Sequence, residues 1–289
     1  MAFSNLSILG VGLLGGSIGL GLRASANPCK IVGYGYRRET LEQAQAFGAI
    51  DRWTLDLREA VADADLVILC TPVGLFETML KQLAPVLKPG TLVTDVGSTK
   101  RTVVRLARDL LPEANPFVGS HPMAGSEKRG VEYARADLFH NALCILTPTA
   151  GSPRSAATGL EIFWESLGMR IVRLSPEEHD AAVSDISHLP HLLAAALVSM
   201  QSRSAMPLAG KGFIDTTRIA SGDARLWRDI LLDNRDNVLT SLTRLQNEIA
   251  TLKKLITPTK GEALTAWLAS AAQRRDDLAK AKLREIADE

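Results

Sequence analysis

Along roughly the first 174 residues, apolar positions fall in short continuous runs broken by turn residues. Leu6 to Leu9, Ile31 to Gly35, Ala64 to Cys70 and Thr91 to Val96 are such runs. They are the pattern expected of strands covered on both faces of a parallel sheet. Helical stretches alternate with them: one to about Ala24, one from Glu39 to Phe47, one ending near Leu87 and one starting near Lys100. Short strands are also expected at Pro116–Gly119, Leu143–Leu146 and Arg170–Leu174, with a helix from Pro153 to Leu167. From Ser175 the spacing becomes helical, and Ser175-Pro176-Glu177-Glu178 reads as a helix start. No convincing strand follows. The expected architecture is α/β: a Rossmann-type doubly wound sheet over residues 1–174, then an all-α helical domain over 175–289.

The first strand runs into Gly10-Val11-Gly12-Leu13-Leu14-Gly15 and then a helix. In that setting Gly10 permits the tight turn and Gly12 the approach of a pyrophosphate. Gly15 allows close packing of helix on strand, with the helix N-terminus facing the phosphates. The alternative is a purely structural glycine turn. Dinucleotide sites selective for NAD usually carry an acid after the second strand; here the chain reads Tyr36-Arg37-Arg38. Two guanidinium groups suit a 2′-phosphate, so NADP is the expected cofactor, with NAD still open. Alternatively both arginines are solvated at a helix start, with Glu39 neutralising one. Thr71, Pro72, Ser98 and Lys100 lie at carboxyl ends of strands, where ligands of open parallel sheets bind; Thr71 and Pro72 join the cofactor set. Ser98 could equally cap the following helix.

The 289 residues carry 33 Lys plus Arg against 32 Asp plus Glu, a formal charge of +1. That balance argues against nucleic-acid and membrane-surface partners. The three cysteines lack metal-type spacing, which suits a reducing cytoplasm. The N-terminus has no signal-peptide pattern. No apolar run approaches the ~20 residues of a membrane span, and Leu189–Met200, interrupted by Pro190 and His191, reads as a buried helix.

Candidate chemistry centres on Gly119-Ser120-His121-Pro122, a poor helix and a poor strand, so His121 is expected on a loop. Downstream, Asp180, Ser184, Ser187 and His191 recur at steps of 4, 3 and 4 on an apolar helix, with His188 beside them. Aligned polar groups there need partners, either a ligand or interdomain hydrogen bonds. Arg218 is a candidate carboxylate clamp with Asp215 near enough to orient it; the alternative is a surface ion pair.

Taken together, residues 10–17, Thr94–Lys100, Gly119–Glu127, His179-Asp180, Ser187–His191 and Phe213–Arg218 resemble the prephenate/arogenate dehydrogenase family of tyrosine biosynthesis. The resemblance implies oxidative decarboxylation of a cyclohexadienol, with hydride passing to the nicotinamide and no metal required. It implies that His121 accepts the ring hydroxyl's proton and that Ser98 contacts the same hydroxyl. Arg218 would bind a carboxylate, His191 would help hold the side chain, and Glu127 and Asp215 would join the supporting ionic network; His188, beside the polar stripe, is a further substrate-binding candidate. It further implies a homodimer built by the helical domain and, with no room for a further domain, a monofunctional enzyme. Prephenate and arogenate both stay open as substrates. Two other readings compete: a β-hydroxyacid dehydrogenase or imine reductase using Lys211, and a non-catalytic NADP-binding sensor.

Overall fold

The computed structural model describes residues 3–25, 29–126 and 128–287. Five short apolar strands, β1 (Asn5–Leu9), β2 (Lys30–Tyr34), β3 (Arg52–Thr54), β4 (Leu66–Leu69) and β5 (Leu92–Asp95), form one sheet. Its order is β3-β2-β1-β4-β5, and every pairing is parallel. The order reverses beside β1, so the crevice between the ends of β1 and β4 is the topological switch point where such sheets bind ligands. Helices α1 (Leu13–Ala24), α2 (Arg38–Ala46), α3 (Leu57–Val61), α4 (Phe76–Leu83) and α5 (Arg101–Leu110) make the crossovers. Two apolar clusters cover the two sheet faces, one around Ile8, Ile18 and Ile68, the other around Leu9, Val67 and Leu80.

A second sheet of three strands follows: β6 (Gly119–Pro122), β7 (Leu143–Thr147) and β8 (Arg170–Arg173), with α6 (Arg154–Glu165) between the last two. Here the structure corrects two expectations. Of the stretch Pro116–Gly119, Phe117 makes a single bridge to Val93 and Gly119 already opens β6. His121 lies within β6, not on a loop, paired antiparallel with Ile145. Gly-Ser-His-Pro has little strand propensity of its own; pairing with β7, distant in sequence, supplies the ladder. The segment β3–α3 also had no distinct signature in the apolar pattern.

After β8 the described chain is helical: α7 (Pro176–Val183), α8 (Leu189–Ser199), α9 (Lys211–Thr217), α10 (Ala224–Asp233), α11 (Arg235–Leu255) and α12 (Gly261–Ala287). Ser175 starts α7 as expected, in a reciprocal capping box with Glu178. By internal contacts the chain forms two compact units, one up to Arg235 and one from Asp236 onward. Helices α7 to α10 therefore belong to the same compact unit as both sheets.

One π-helical turn, Ser184–His188, joins α7 to α8. The result is a continuous helix from Pro176 to Ser199, which by length and composition alone would suffice to cross a membrane. This corrects the expectation that no run is long enough. The same helix buries Asp180 and three histidines against neighbouring protein groups, as a core helix does. Its second half is less buried than expected: in α8 only His191 and Ala194 are fully covered.

Candidate active site

The glycine motif has the geometry a dinucleotide requires. Gly10 adopts a φ of +102°, and a Cβ there would sit 2.9 Å from the backbone of Cys70. At Gly15 a Cβ would come within 2.4 Å of the Gly10 carbonyl and 2.8 Å of Ile8. At Gly12 a Cβ would meet nothing within 4 Å, which leaves space before the uncapped N-terminus of α1, opened by Leu13 and Leu14. Packing and open space are thus divided among the three glycines as a pyrophosphate cradle demands. Thr71 Oγ1, at the end of β4 and next to Pro72, is buried without a hydrogen-bond partner among the described residues. Tyr36, Arg37 and Arg38 lie exposed just beyond β2. Arg38 is partly engaged, 3.6 Å from Glu42 and over the Trp53 ring.

The strand carrying His121 is wired into the first sheet. Ser120 N–H donates to Asp95 Oδ1 at 3.2 Å, and Ser120 Oγ lies 2.7 Å from Thr94 Oγ1 and accepts from Trp164 Nε1 at 3.1 Å. Asp95 also binds the fully buried Lys100 ammonium. Burial raises the Asp95 carboxyl while Lys100 opposes the shift. The chain then runs from β6 to the cofactor helix: a Cβ at Gly125 would lie 4.0 Å from Leu14, and Gly16 packs under Val131 and Ala134.

Four of the five histidines gather at this place: His121, His179, His188 and His191 are all buried. His121 Nδ1 is 2.8 Å from His179 Nε2, and His179 Nδ1 is 2.8 Å from Asp180 Oδ1. Asp180 receives the backbone N–H groups of Lys100 at 2.7 Å and Arg101 at 3.0 Å, and Arg101 Nε at 3.3 Å. It therefore caps α5 from afar. Ser98, a candidate for that cap, does not provide it: the cap position is Lys100, which makes no side-chain cap bond, and Ser98 is half-buried just beyond β5.

Burial first, then the nearby His179, Lys100 and His188, hold His121 well below the ordinary histidine value of 6.5. Burial also lowers His179, against the opposing hydrogen bond to Asp180. Burial alone would raise Asp180, but hydrogen bonds from His179 and the backbone of Arg101 and Lys100 outweigh it and hold the carboxyl low. A neutral imidazole backed by an ionised carboxylate is what a general base needs.

The polar stripe differs in one place from its sequence pattern. Asp180, Ser184, His188 and His191 are buried and Ser187 is only half-buried. The π turn carries about an extra residue, which rotates His188 onto the face expected of Ser187. Burial takes His188 down to about 4. Its Nδ1 accepts from Asn234 Nδ2 at 3.2 Å, and its Nε2 has no partner among the described residues. His191 stacks on Trp227 at 3.6 Å and 11°, and a ring nitrogen is hydrogen bonded to the backbone of Ile219. His179, Asn234 and Trp227 are site residues that the residue pattern alone did not single out. The His179-Asp180 dipeptide at a helix start was the available signal for the first.

Arg218 is exposed at the end of α9. Asp215 is held by Lys211 Nζ at 2.6 Å on the outer face of that helix, rather than being oriented toward the site. Lys211 itself is 86% exposed, with none of the burial a lysine acid/base needs. Glu127 lies outside the described residues.

A glycine-lined switch-point crevice, in a chain that also buries a neutral histidine, fits one class: a nicotinamide-dependent dehydrogenase. Comparison with known proteins narrows it. Residues 18–173 match the family model "Prephenate dehydrogenase, nucleotide-binding domain", and residues 175–270 match "Prephenate dehydrogenase, dimerization domain". The chain is 39% identical to the prephenate dehydrogenase of Bacillus subtilis (strain 168), over 94% of this chain and 75% of that one. It is 36% identical to the cyclohexadienyl dehydrogenase of Zymomonas mobilis, over 88% of each. A solved structure of prephenate dehydrogenase from A. aeolicus, in complex with hydroxyphenyl propionate and NAD+, superposes with a TM-score of 0.89 at 35% identity, covering 95% of this chain and 98% of that one. The chain belongs to the prephenate dehydrogenase family.

Proposed function

We propose that this enzyme oxidatively decarboxylates prephenate, arogenate or both in tyrosine biosynthesis, with His121 as the general base. The observation that carries the reading is the chain His121–His179–Asp180, an uncharged imidazole backed by an ionised carboxylate, on the strand that leads by way of Gly125 toward Leu14 of α1. A bound oxidised nicotinamide supplies the hydride acceptor. His121 takes the proton of the ring hydroxyl, so its O–H electron pair forms the carbonyl as the hydride leaves the same carbon. Breaking the bond to the ring carboxylate then releases carbon dioxide and sends that electron pair through the ring onto the carbonyl oxygen, which takes back the proton from His121 to give an aromatic phenol; aromatisation makes the reaction effectively one-way. Ser98 would contact the same hydroxyl. His188 Nε2, buried and unsatisfied among the described residues, supports a contact to an accepting oxygen of the substrate. Arg218, His191 and Glu127 complete the proposed substrate set, and Asp215, paired with Lys211, falls outside it.

For the cofactor, the open space at Gly12 and the unpartnered Thr71 hydroxyl support binding at Gly10 to Gly15, Thr71 and Pro72. Exposed Arg37 and Arg38, without an acid after β2, support a preference for NADP, with NAD as the second cofactor. We further propose a cytoplasmic homodimer, with residues 1–174 holding the cofactor and 175–289 building the substrate site and dimer contact. Support comes from the matched dimerization-domain description and from the incompletely covered apolar face of α8. The readings built on Lys211 or on a non-catalytic sensor are not favoured.

The test follows absorbance of the reduced nicotinamide while crossing prephenate and arogenate with NAD and NADP. Reduction with at least one pair is expected; none in all four would overturn the function.

A further inference from the structure

Two hydrogen-bond chains leave Asp180, and each ends on a ring nitrogen of a site histidine. The first leaves its side chain. Asp180 Oδ1 and Oδ2 already accept from the Lys100 and Arg101 backbone, so the carboxylate is held as an acceptor. His179 must then donate from Nδ1, which leaves Nε2 of a neutral ring as a lone pair. His121 must in turn donate Nδ1–H to that lone pair, and its own Nε2 is left bare. The second chain leaves the Asp180 backbone carbonyl. It accepts from Asn234 Nδ2 at 2.7 Å, while Asn234 Oδ1 faces Arg101 Nη2 at 3.5 Å. That orientation makes Asn234 a donor to His188 Nδ1, so the proton of His188 sits on Nε2.

We propose that Asp180 is the positioning residue of the site: through His179 it fixes His121 as a proton acceptor at Nε2, and through Asn234 it fixes His188 as a proton donor at Nε2. The inference rests on His121 being the base, and adds how the protein selects the tautomer that can act as one. A hydroxyl that gives up a proton and an oxygen that accepts one are then recognised by two histidines of opposite polarity. Upon reaction, the substrate's proton goes to His121 Nε2, and the Nδ1–H stays on its bond to His179. The resulting imidazolium is backed by an anion one ring away, as in the triad logic where the carboxylate orients and does not itself take the proton. The charged and titratable groups around His121 are His179 and Asp180 on α7, Lys100 before α5, Asp95 on β5, Cys144 on β7 and His188 in the π turn.

Two-bond 1H–15N spectra of the full chain, labelled at histidine and without substrate, read the tautomers directly. Protons on Nδ1 of His121 and His179 and on Nε2 of His188 are expected. A proton on Nε2 of His121 in the resting protein would overturn the proposal without touching the function reading. His179→Leu, close in volume, should lower kcat by roughly 10²–10⁴ with little change in KM. His179→Gln keeps an oxygen able to accept from His121, so it should retain clearly more kcat and an acid limb in its pH profile. Equal kcat in the two variants would also overturn the proposal, because packing alone would then explain His179. Loss of turnover in the wild type with the expected tautomers present would instead count against the function.

Discussion

The proposed mechanism requires that one ring be kept uncharged. His121 loses solvent on entering β6 and has Lys100 and other histidines near it, so its pKa lies below 6.5. The base form is the neutral one. Activity should therefore be full above that depressed value and fall as pH drops through it. The acid limb of kcat/KM is expected below the ordinary histidine range, and a limb at or above 6.5 would contradict the burial argument. A second residue-scale test concerns the cofactor. If Arg37 and Arg38 read a 2′-phosphate, replacing both with alanine should lower the NADP:NAD ratio of kcat/KM, by about 1.5–3 kcal/mol for a lost charged hydrogen bond. An unaltered ratio would leave them as solvated residues at the start of α2.

At the scale of elements, β1, α1 and the turn between them divide their tasks by glycine. Gly15→Ala would push a methyl into the Gly10 carbonyl and Ile8, so α1 must move, at a cost of about 1–3 kcal/mol of stability and with weaker cofactor binding. Gly12→Ala meets no protein atom within 4 Å, so Tm should hold while cofactor affinity falls. Equal effects of the two on Tm would contradict that division. The elements that hold the cofactor are legible in sequence because each is specified locally, by an apolar run or a glycine spacing, and the start of α7 is legible in the same way from Ser175 and Glu178. The strand that carries His121 is not. Ser120 and His121 are extended because Asp95, Thr94 and Ile145 bind them from elsewhere in the chain. The remote cap of α5 by Asp180, and the π turn that exchanges Ser187 for His188, are equally non-local. A periodicity of 3.6 cannot register a single wider turn.

For the molecule as a whole, gathering four neutral histidines in one buried cluster has a cost in acid. The folded value of His188 is about 4, against an ordinary 6.5. Above 6.5 neither folded nor unfolded chain binds the proton. As pH falls from 6.5 toward 4 the unfolded chain binds it first, so stability is lost across that window, by about 3 kcal/mol for this group. His121, His179 and His191 are shifted the same way. Tm should therefore decline between pH 6.5 and 4, less steeply in His188→Gln; superimposable declines would contradict the assignment. The proposed mechanism makes the enzyme's chemistry depend on one ring of that cluster. The most direct test is His121→Asn, assayed with the substrate and cofactor pair that the wild type turns over. A fall in kcat of roughly 10²–10⁴ with cofactor affinity retained is expected; a near-normal kcat would contradict the account.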